Sequence, residues 1–580
     1  MKFLKTLLAS LLGFFIALFL IFVFFTIIVS AMMSSQDEVV VNSNSILELD
    51  LSAQIRDYAP KDQNPWVSAF DLDAEKLGLN SLIAAVENAK NDKNIKGISI
   101  KTPFVNTGIA QTQSLRDKLE EFKESGKFIY AYNDFYQQKN YYLSSVADSI
   151  FINPAGFIDF RGLSTEILYY KDFEDKYGVK MEVVRHGKYK SAAEPFISNK
   201  MSLANREQIM SFLSSIWSEI IEDINISRKI TVQQLNYIAD NLNGRNATLA
   251  LKNNLVDGVM YENDYKDKLK ELIDTKPNFI SIKDYIKSGK GRIKSASKNK
   301  IAVIYAQGEI LYGEGDEQII GQGIINNAII KAKEDKNVKA IVLRVNSPGG
   351  SALAAELIWK ELELAKEEKP LVVSMGNYAA SGGYYIACNA DKIIAEPTTI
   401  TGSIGVFAML PNAHDLVDRI GINAEQVSTN SSPSYSVFEP MDNDFYRVTE
   451  EGVAKVYNTF IERVSNGRAM KRAQVDALAQ GRVWTGKEAL KKGLVDKLGS
   501  LDDAVALAAE LAQIDSYRVR NYPSYKKDFK EKLKYLPLSL KTKITKEFLG
   551  DDPHKIYSAA KQLKDLKGIQ VRMPYILEIK

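Results

Sequence analysis

The chain holds 580 residues, 45% hydrophobic and 25% charged, an ordinary globular balance with room for two or more domains. Its 75 lysines and arginines nearly cancel 72 aspartates and glutamates, so the total charge points to no nucleic-acid partner. The single cysteine, Cys388, excludes an internal disulfide; it lies in the apolar run Tyr385-Ile386-Ala387, where a packed thiol without chemistry is expected.

Residues 6–33 are almost wholly apolar, with Lys2 and Lys5 before them and Gln36, Asp37 and Glu38 after them. As a helix rising about 1.5 Å per residue they span a hydrocarbon core of roughly 30 Å, and the two lysines keep the N-terminus cytoplasmic. The expectation is a retained single-pass anchor over residues 1–35 that carries the rest of the chain to the outer face of the cytoplasmic (inner) membrane.

A first α/β unit is expected over 45–285. Within it Asp92-Lys93-Asn94-Ile95-Lys96-Gly97-Ile98-Ser99-Ile100-Lys101 recurs as Asp335-Lys336-Asn337-Val338-Lys339-Ala340-Ile341-Val342-Leu343-Arg344, an offset of 335 − 92 = 243. At that offset Tyr141-Tyr142 meets Tyr384-Tyr385, Ala147-Asp148 meets Ala390-Asp391, Pro154 meets Pro397 and Gly162 meets Gly405. Register kept without a gap over such a length marks a duplicated domain. In each copy apolar strands (98–100 and 128–132; 341–345 and 371–375) alternate with helical patterns (Leu115, Leu119, Phe122; Leu353, Leu357, Ile358, Leu362). That alternation requires parallel sheets with crossover helices. The second unit is expected over 301–525, behind a basic linker at 286–300. Residues 526–580, with Phe529, Leu533, Leu536 and Leu540 among many lysines, read as an amphipathic tail for the membrane surface, a neighbouring subunit or solvent.

The second unit carries the chemistry. Asn377-Tyr378-Ala379-Ala380-Ser381-Gly382-Gly383-Tyr384-Tyr385 follows a buried strand, and a serine leaving such a strand among small residues reads as a nucleophile at Ser381. The plainer alternative is an N-cap serine followed by flexible glycines. Upstream, Ser347-Pro348-Gly349-Gly350-Ser351 also follows a strand; its glycines let backbone N–H groups approach an anion and, with the N–H of Gly382, complete an oxyanion hole. Its structural alternative is a turn. The first unit lacks both features, because Ser381 corresponds to Gln138 and the diglycine turn to Phe104-Val105-Asn106-Thr107-Gly108.

A serine hydroxyl needs a base. The three histidines, His186, His414 and His554, stand in no suggestive motif, although a Ser/His/Asp triad stays open. Tyr189-Lys190-Ser191-Ala192-Ala193-Glu194-Pro195-Phe196 has a counterpart in Tyr435-Ser436-Val437-Phe438-Glu439-Pro440, and aligning the Glu-Pro pairs sets Lys190 against Tyr435. The first unit thus keeps a lysine that the second has lost. A free lysine, with a pKa of about 10.4, is neutral in roughly one copy in 2,500 at pH 7, but burial lowers that pKa by several units. Lys190 enclosed between two domains is therefore a candidate base, and Lys188 is its decoy.

These motifs, with Thr401-Gly402-Ser403-Ile404-Gly405-Val406, follow one another as in a known family. The chain resembles signal peptide peptidase A (protease IV) in its long, duplicated, membrane-anchored bacterial form, from the anchor to about residue 520. The resemblance implies two tandem crotonase/Clp-protease-like domains, a Ser381/Lys190 dyad formed between them, an oxyanion hole shaped by Gly349, Gly350 and Gly382, and Ser403 hydrogen-bonded to the lysine. It also implies a homotetramer that degrades cleaved signal peptides without metal or other cofactor. Two other classes stay open: an acyl-CoA hydratase or isomerase using the same oxyanion glycines, and a non-catalytic membrane scaffold.

Overall fold

The computed structural model describes residues 2–34, 39–60, 76–525 and 569–573. A helix over Lys2–Ser34 precedes the two halves. Among the described residues no helix is long and apolar enough to cross a membrane, and the anchor expected over 6–33 rests in part on side chains outside them. The tail expected over 526–580 lies outside the described residues except for 569–573.

Each half is built on a parallel sheet. In the first, six strands run in the order Gly258–Val259, Ser149–Ile152, Phe128–Asn133, Ile95–Ile100, Ser45–Leu49, Asn278–Ser281, all parallel. In the second the main path is Val483–Thr485, Ile400–Gly402, Leu371–Ala380, Val338–Ser347, Lys300–Gln307, Arg518–Tyr522, with one antiparallel pair at the Val483–Thr485 edge. The strands starting at Ile95, Phe128 and Ser149 begin 243 residues before those starting at Val338, Leu371 and Lys392, so the duplication read in the sequence is a duplication of strands.

Apolar runs without polar alternation give strands covered on both faces. Along Lys300–Gln307, Ile301, Val303 and Tyr305 pack against Ala504, Val505 and Ala508 of the helix Leu501–Leu511. The residues between them, Ala302, Ile304 and Ala306, pack on the other face with Ile325 and Ile329 of Gln322–Glu334 and Ile358 of Ala352–Lys366. Successive strand side chains point to opposite faces, so one strand serves two layers.

A third sheet crosses between the halves, in the order Ile319–Gly321, Glu309–Leu311, Gly349–Ser351, Ile569–Arg572, Val406–Asn412, Lys180–His186. The last strand belongs to the first half, yet it pairs antiparallel with Val406–Asn412 of the second over seven residues, from Val406 opposite His186 to Asn412 opposite Lys180. A buried ion pair adds to this exchange: Arg344 Nε donates to Asp57 at 2.8 Å, and Asn346 Nδ2 and Gln111 Nε2 donate to the other carboxylate oxygen at 2.5 and 3.0 Å. Of the segment 286–300 expected as a linker, Ile286–Lys290 forms a helical turn broken at Gly289, φ 93°, and is held to the first half by the Lys290–Asp92 ion pair at 3.0 Å, and Lys300 opens a strand.

Candidate active site

The strand Leu371–Ala380 delivers Ser381 to the start of the short helix Gly382–Ala387. There Ser381 adopts φ 55° and ψ −114°, a conformation that costs an L-residue about 1–3 kcal/mol and must be held by its surroundings. Its N–H donates to Gly402 O at 2.8 Å, and its carbonyl accepts from Tyr385 N at 2.8 Å. Its side chain caps no backbone N–H of that helix.

Lys190 arrives from the other half. The exchanged strand Lys180–His186 is followed by Gly187, and Tyr189 N then donates to Gln480 O at 2.8 Å, fixing the lysine's backbone against the second half. Beyond it, the carboxylate of Glu194 accepts from Ser202 N and Asn205 Nδ2 at 2.8 and 2.5 Å, tying the segment to the long helix Leu203–Arg228. Lys190 Nζ lies 2.8 Å from Ser381 Oγ, 3.0 Å from Ser403 O and 3.1 Å from Ser403 Oγ. Both Lys190 and Ser381 are 0% exposed. Burial alone pushes the lysine well below its ordinary pKa, since desolvation penalises the ammonium. A neutral amine has two N–H groups and one lone pair. With the Ser403 carbonyl and hydroxyl as acceptors, the lone pair is left to receive the Ser381 proton.

The glycines of the two turns meet beside this pair. A Cβ on Gly349, at φ 104°, would stand 2.8 Å from Gly382 N, so the close approach of these backbones needs glycine there. The N–H of Gly349 donates to Ser347 Oγ at 3.1 Å. A Cβ on Gly382 would lie 3.2 Å from Gly350 N, which brings those two glycines together at the serine.

The histidines stand elsewhere. The His186 ring packs on Tyr457 with centroids 4.0 Å apart, His414 Nδ1 bonds Phe438 O at 3.0 Å, and His554 lies outside the described residues. The decoy Lys188 is exposed, its ammonium 5.2 Å from the Tyr189 ring centroid. Cys388 is buried, its thiol pushed up to about 12 by desolvation.

Two features of the site escaped the sequence. At Gly481, φ 78°, a Cβ would fall 2.6 Å from both Lys190 N and Lys190 Cβ, so this position makes the room through which the lysine enters. Nothing in Gln480-Gly481-Arg482 signals it, because its partner lies in the other half. The second is Ile569–Arg572, inserted beside Gly349–Ser351.

A buried amine on a serine hydroxyl, next to glycines whose backbones converge, is the apparatus of a serine hydrolase. The Peptidase family S49 model matches residues 121–276 and 363–515. "Protease 4" of Haemophilus influenzae is 38% identical over 450 residues, covering 75% of this chain and 73% of its own. "Protease 4" of Salmonella typhi is 38% identical over 468 residues, covering 78% and 75%, and the chloroplastic "Serine protease SPPA" of Arabidopsis thaliana is 31% identical over 489 residues, covering 82% and 70%. The chain belongs to Peptidase family S49, with one matched segment in each half of its α/β fold, and is a serine peptidase.

Proposed function

We propose that the chain is a membrane-bound endopeptidase with a Ser/Lys dyad that degrades cleaved signal peptides and similar membrane-associated peptides. Neutral Lys190 takes the proton of Ser381 as its Oγ attacks a peptide carbonyl. The tetrahedral oxyanion is held by the N–H groups of Gly350 and Gly382, with Gly349 making room for it. Lys190 then returns the proton to the leaving amine, and water, deprotonated by the same lysine, hydrolyses the acyl-enzyme. Ser403 keeps the lone pair of Lys190 on the nucleophile.

The observation that carries this reading is the 2.8 Å approach of a fully buried lysine amine to Ser381 Oγ. The substrate class rests on the resemblance to signal peptide peptidase A and on the relatives' shared naming as proteases. An anchor over 6–33 rests on a charge-free apolar stretch within the helix Lys2–Ser34, about 50 Å long at 1.5 Å per residue. Two crotonase/Clp-protease-like domains, a homotetramer and an outer-face location on the cytoplasmic membrane complete the proposal on the same resemblance. The test is hydrolysis of a signal-peptide-like fluorogenic substrate by the detergent-solubilised protein. Activity must fall by at least about 100-fold in Ser381→Ala and Lys190→Ala and persist in Lys188→Ala; a folded Lys190→Ala as active as the wild type would remove the lysine base.

A further inference from the structure

In the third sheet Ile569–Arg572 is the member that neither repeat supplies. On one side it pairs antiparallel with Gly349–Ser351, setting Arg572 opposite Gly349, Val571 opposite Gly350 and Gln570 opposite Ser351. On the other it pairs antiparallel with Val406–Asn412, through Gln570 opposite Phe407 and Ile569 opposite Ala408. Take this strand away and the sheet divides into two parts whose unpaired edges face each other beside the dyad. Two facing edges of free N–H and C=O groups form a slot for an extended chain, with main-chain bonds giving affinity and alternate side chains giving selectivity.

The strand sits in that slot as a substrate would. The Val571 carbonyl oxygen lies 2.2 Å from where a Cβ on Gly349 would stand and 3.0 Å from one on Gly382, so it packs against these two glycines beside Ser381. Val571 is wholly buried in the second half's core. Met573 N donates to Pro348 O at 2.6 Å, and its side chain packs into the core of the first half. Arg572 lies 3.2 Å from the Glu309 carboxylate. Beneath all this, a nucleophile that has to meet a peptide carbonyl is completely covered.

We propose that residues 569–573 are a tethered, peptide-like occupant of the substrate slot, so that the full chain competes with its own substrates. The proposal rests on reading the groove as the peptide site, and it names the ligand that fits: an extended segment with a β-branched apolar residue at the oxyanion amides and a cation next, facing Glu309. Occupancy of nine-tenths would raise KM about tenfold and leave kcat unchanged.

The test measures binding apart from catalysis. A fluorescein-labelled Ile-Gln-Val-Arg-Met peptide is titrated by anisotropy into full-length Ser381→Ala and into the same chain carrying Val571→Asp, which would bury a carboxylate in an apolar pocket and expel the strand. The expected result is at least about tenfold tighter binding in the double variant. Arg572→Glu, set against Glu309, should act in the same direction and decides the matter if Val571→Asp does not fold. Equal affinities in folded proteins would overturn the proposal. With Ser381 restored, Val571→Asp should lower KM at constant kcat. Tighter peptide binding without hydrolysis by any variant would refute the peptidase reading and leave the occupant standing.

Discussion

The two halves start from one plan and treat the same position in opposite ways. Where the second half has Ser381, the first has Gln138, whose side-chain oxygen accepts from Arg161 N and Gly162 N at 3.1 and 2.9 Å and whose amide donates to Gly162 O at 2.9 Å. Gly162 is the counterpart of Gly405, beside which Lys190 enters the second half. The next residue, Lys139, stands for Gly382 and donates its ammonium to the carbonyl of Thr107, the counterpart of Gly350. The first half has closed its own site with two side chains, and it contributes instead the strand Lys180–His186 and the lysine that follows. In the second half Tyr435, aligned with Lys190, hydrogen-bonds Pro411 O at the surface. On the proposed reading two copies of a fold make one site: each half can lose what the other supplies, provided the exchanged strand holds them together.

The comparison breaks hardest at the dyad. Ser381→Ala should cost about 10⁴-fold or more in kcat, and Lys190→Ala about 10²–10⁴-fold, with thermal stability kept. Gln138→Ala and Lys139→Ala in the silent site should leave kcat unchanged.

Next comes the joint between the halves. Asp57→Ala leaves the Arg344 guanidinium buried without its carboxylate, a loss of about 3–5 kcal/mol, to be read as a fall in urea midpoint. An unchanged midpoint would mean that the halves do not depend on this pair.

A smaller effect should come from Gly481→Ala. The new Cβ displaces Lys190, and a shift on the order of 1 Å costs about 10²-fold in kcat, while KM, set by the slot, changes little.

A change read against pH rather than at one pH concerns Glu396, in the second half, which accepts a hydrogen bond from Ser114 in the first. Desolvation raises its pKa from the usual range to about 8, so the folded chain keeps a proton that the unfolded chain releases. Its contribution is whole below about pH 4.5 and is lost as pH rises to about 8. The gap in stability between Glu396→Gln and the wild type should widen over that window and then level off.

Much of this was legible in the sequence because it is local or repeated. Alternating strands and helices, the offset of 243 and the complementary losses at Ser381 and Lys190 all lie in short stretches whose meaning does not depend on distant partners. The pairing of Lys180–His186 with the opposite half, the room made by Gly481 and the seat of Ile569–Arg572 depend on where remote backbone meets, and a residue pattern carries no trace of that. Ser403 stands between the two cases: the Thr401-Gly402-Ser403 motif marked it, but only the fold supplies both of its acceptors to the lysine.

The most direct measurement is the pH dependence of Ser381 phosphonylation by a fluorophosphonate, in the wild type and in Lys190→Ala. Since burial holds Lys190 well below its ordinary pKa, its neutral form gains with rising pH, and the wild-type rate should climb to a plateau far below pH 10.5. Lys190→Ala should react at least 100-fold more slowly, without that rise. A Lys190→Ala protein labelled at Ser381 as fast as the wild type, on the same pH curve, would contradict a nucleophile activated from the opposite half.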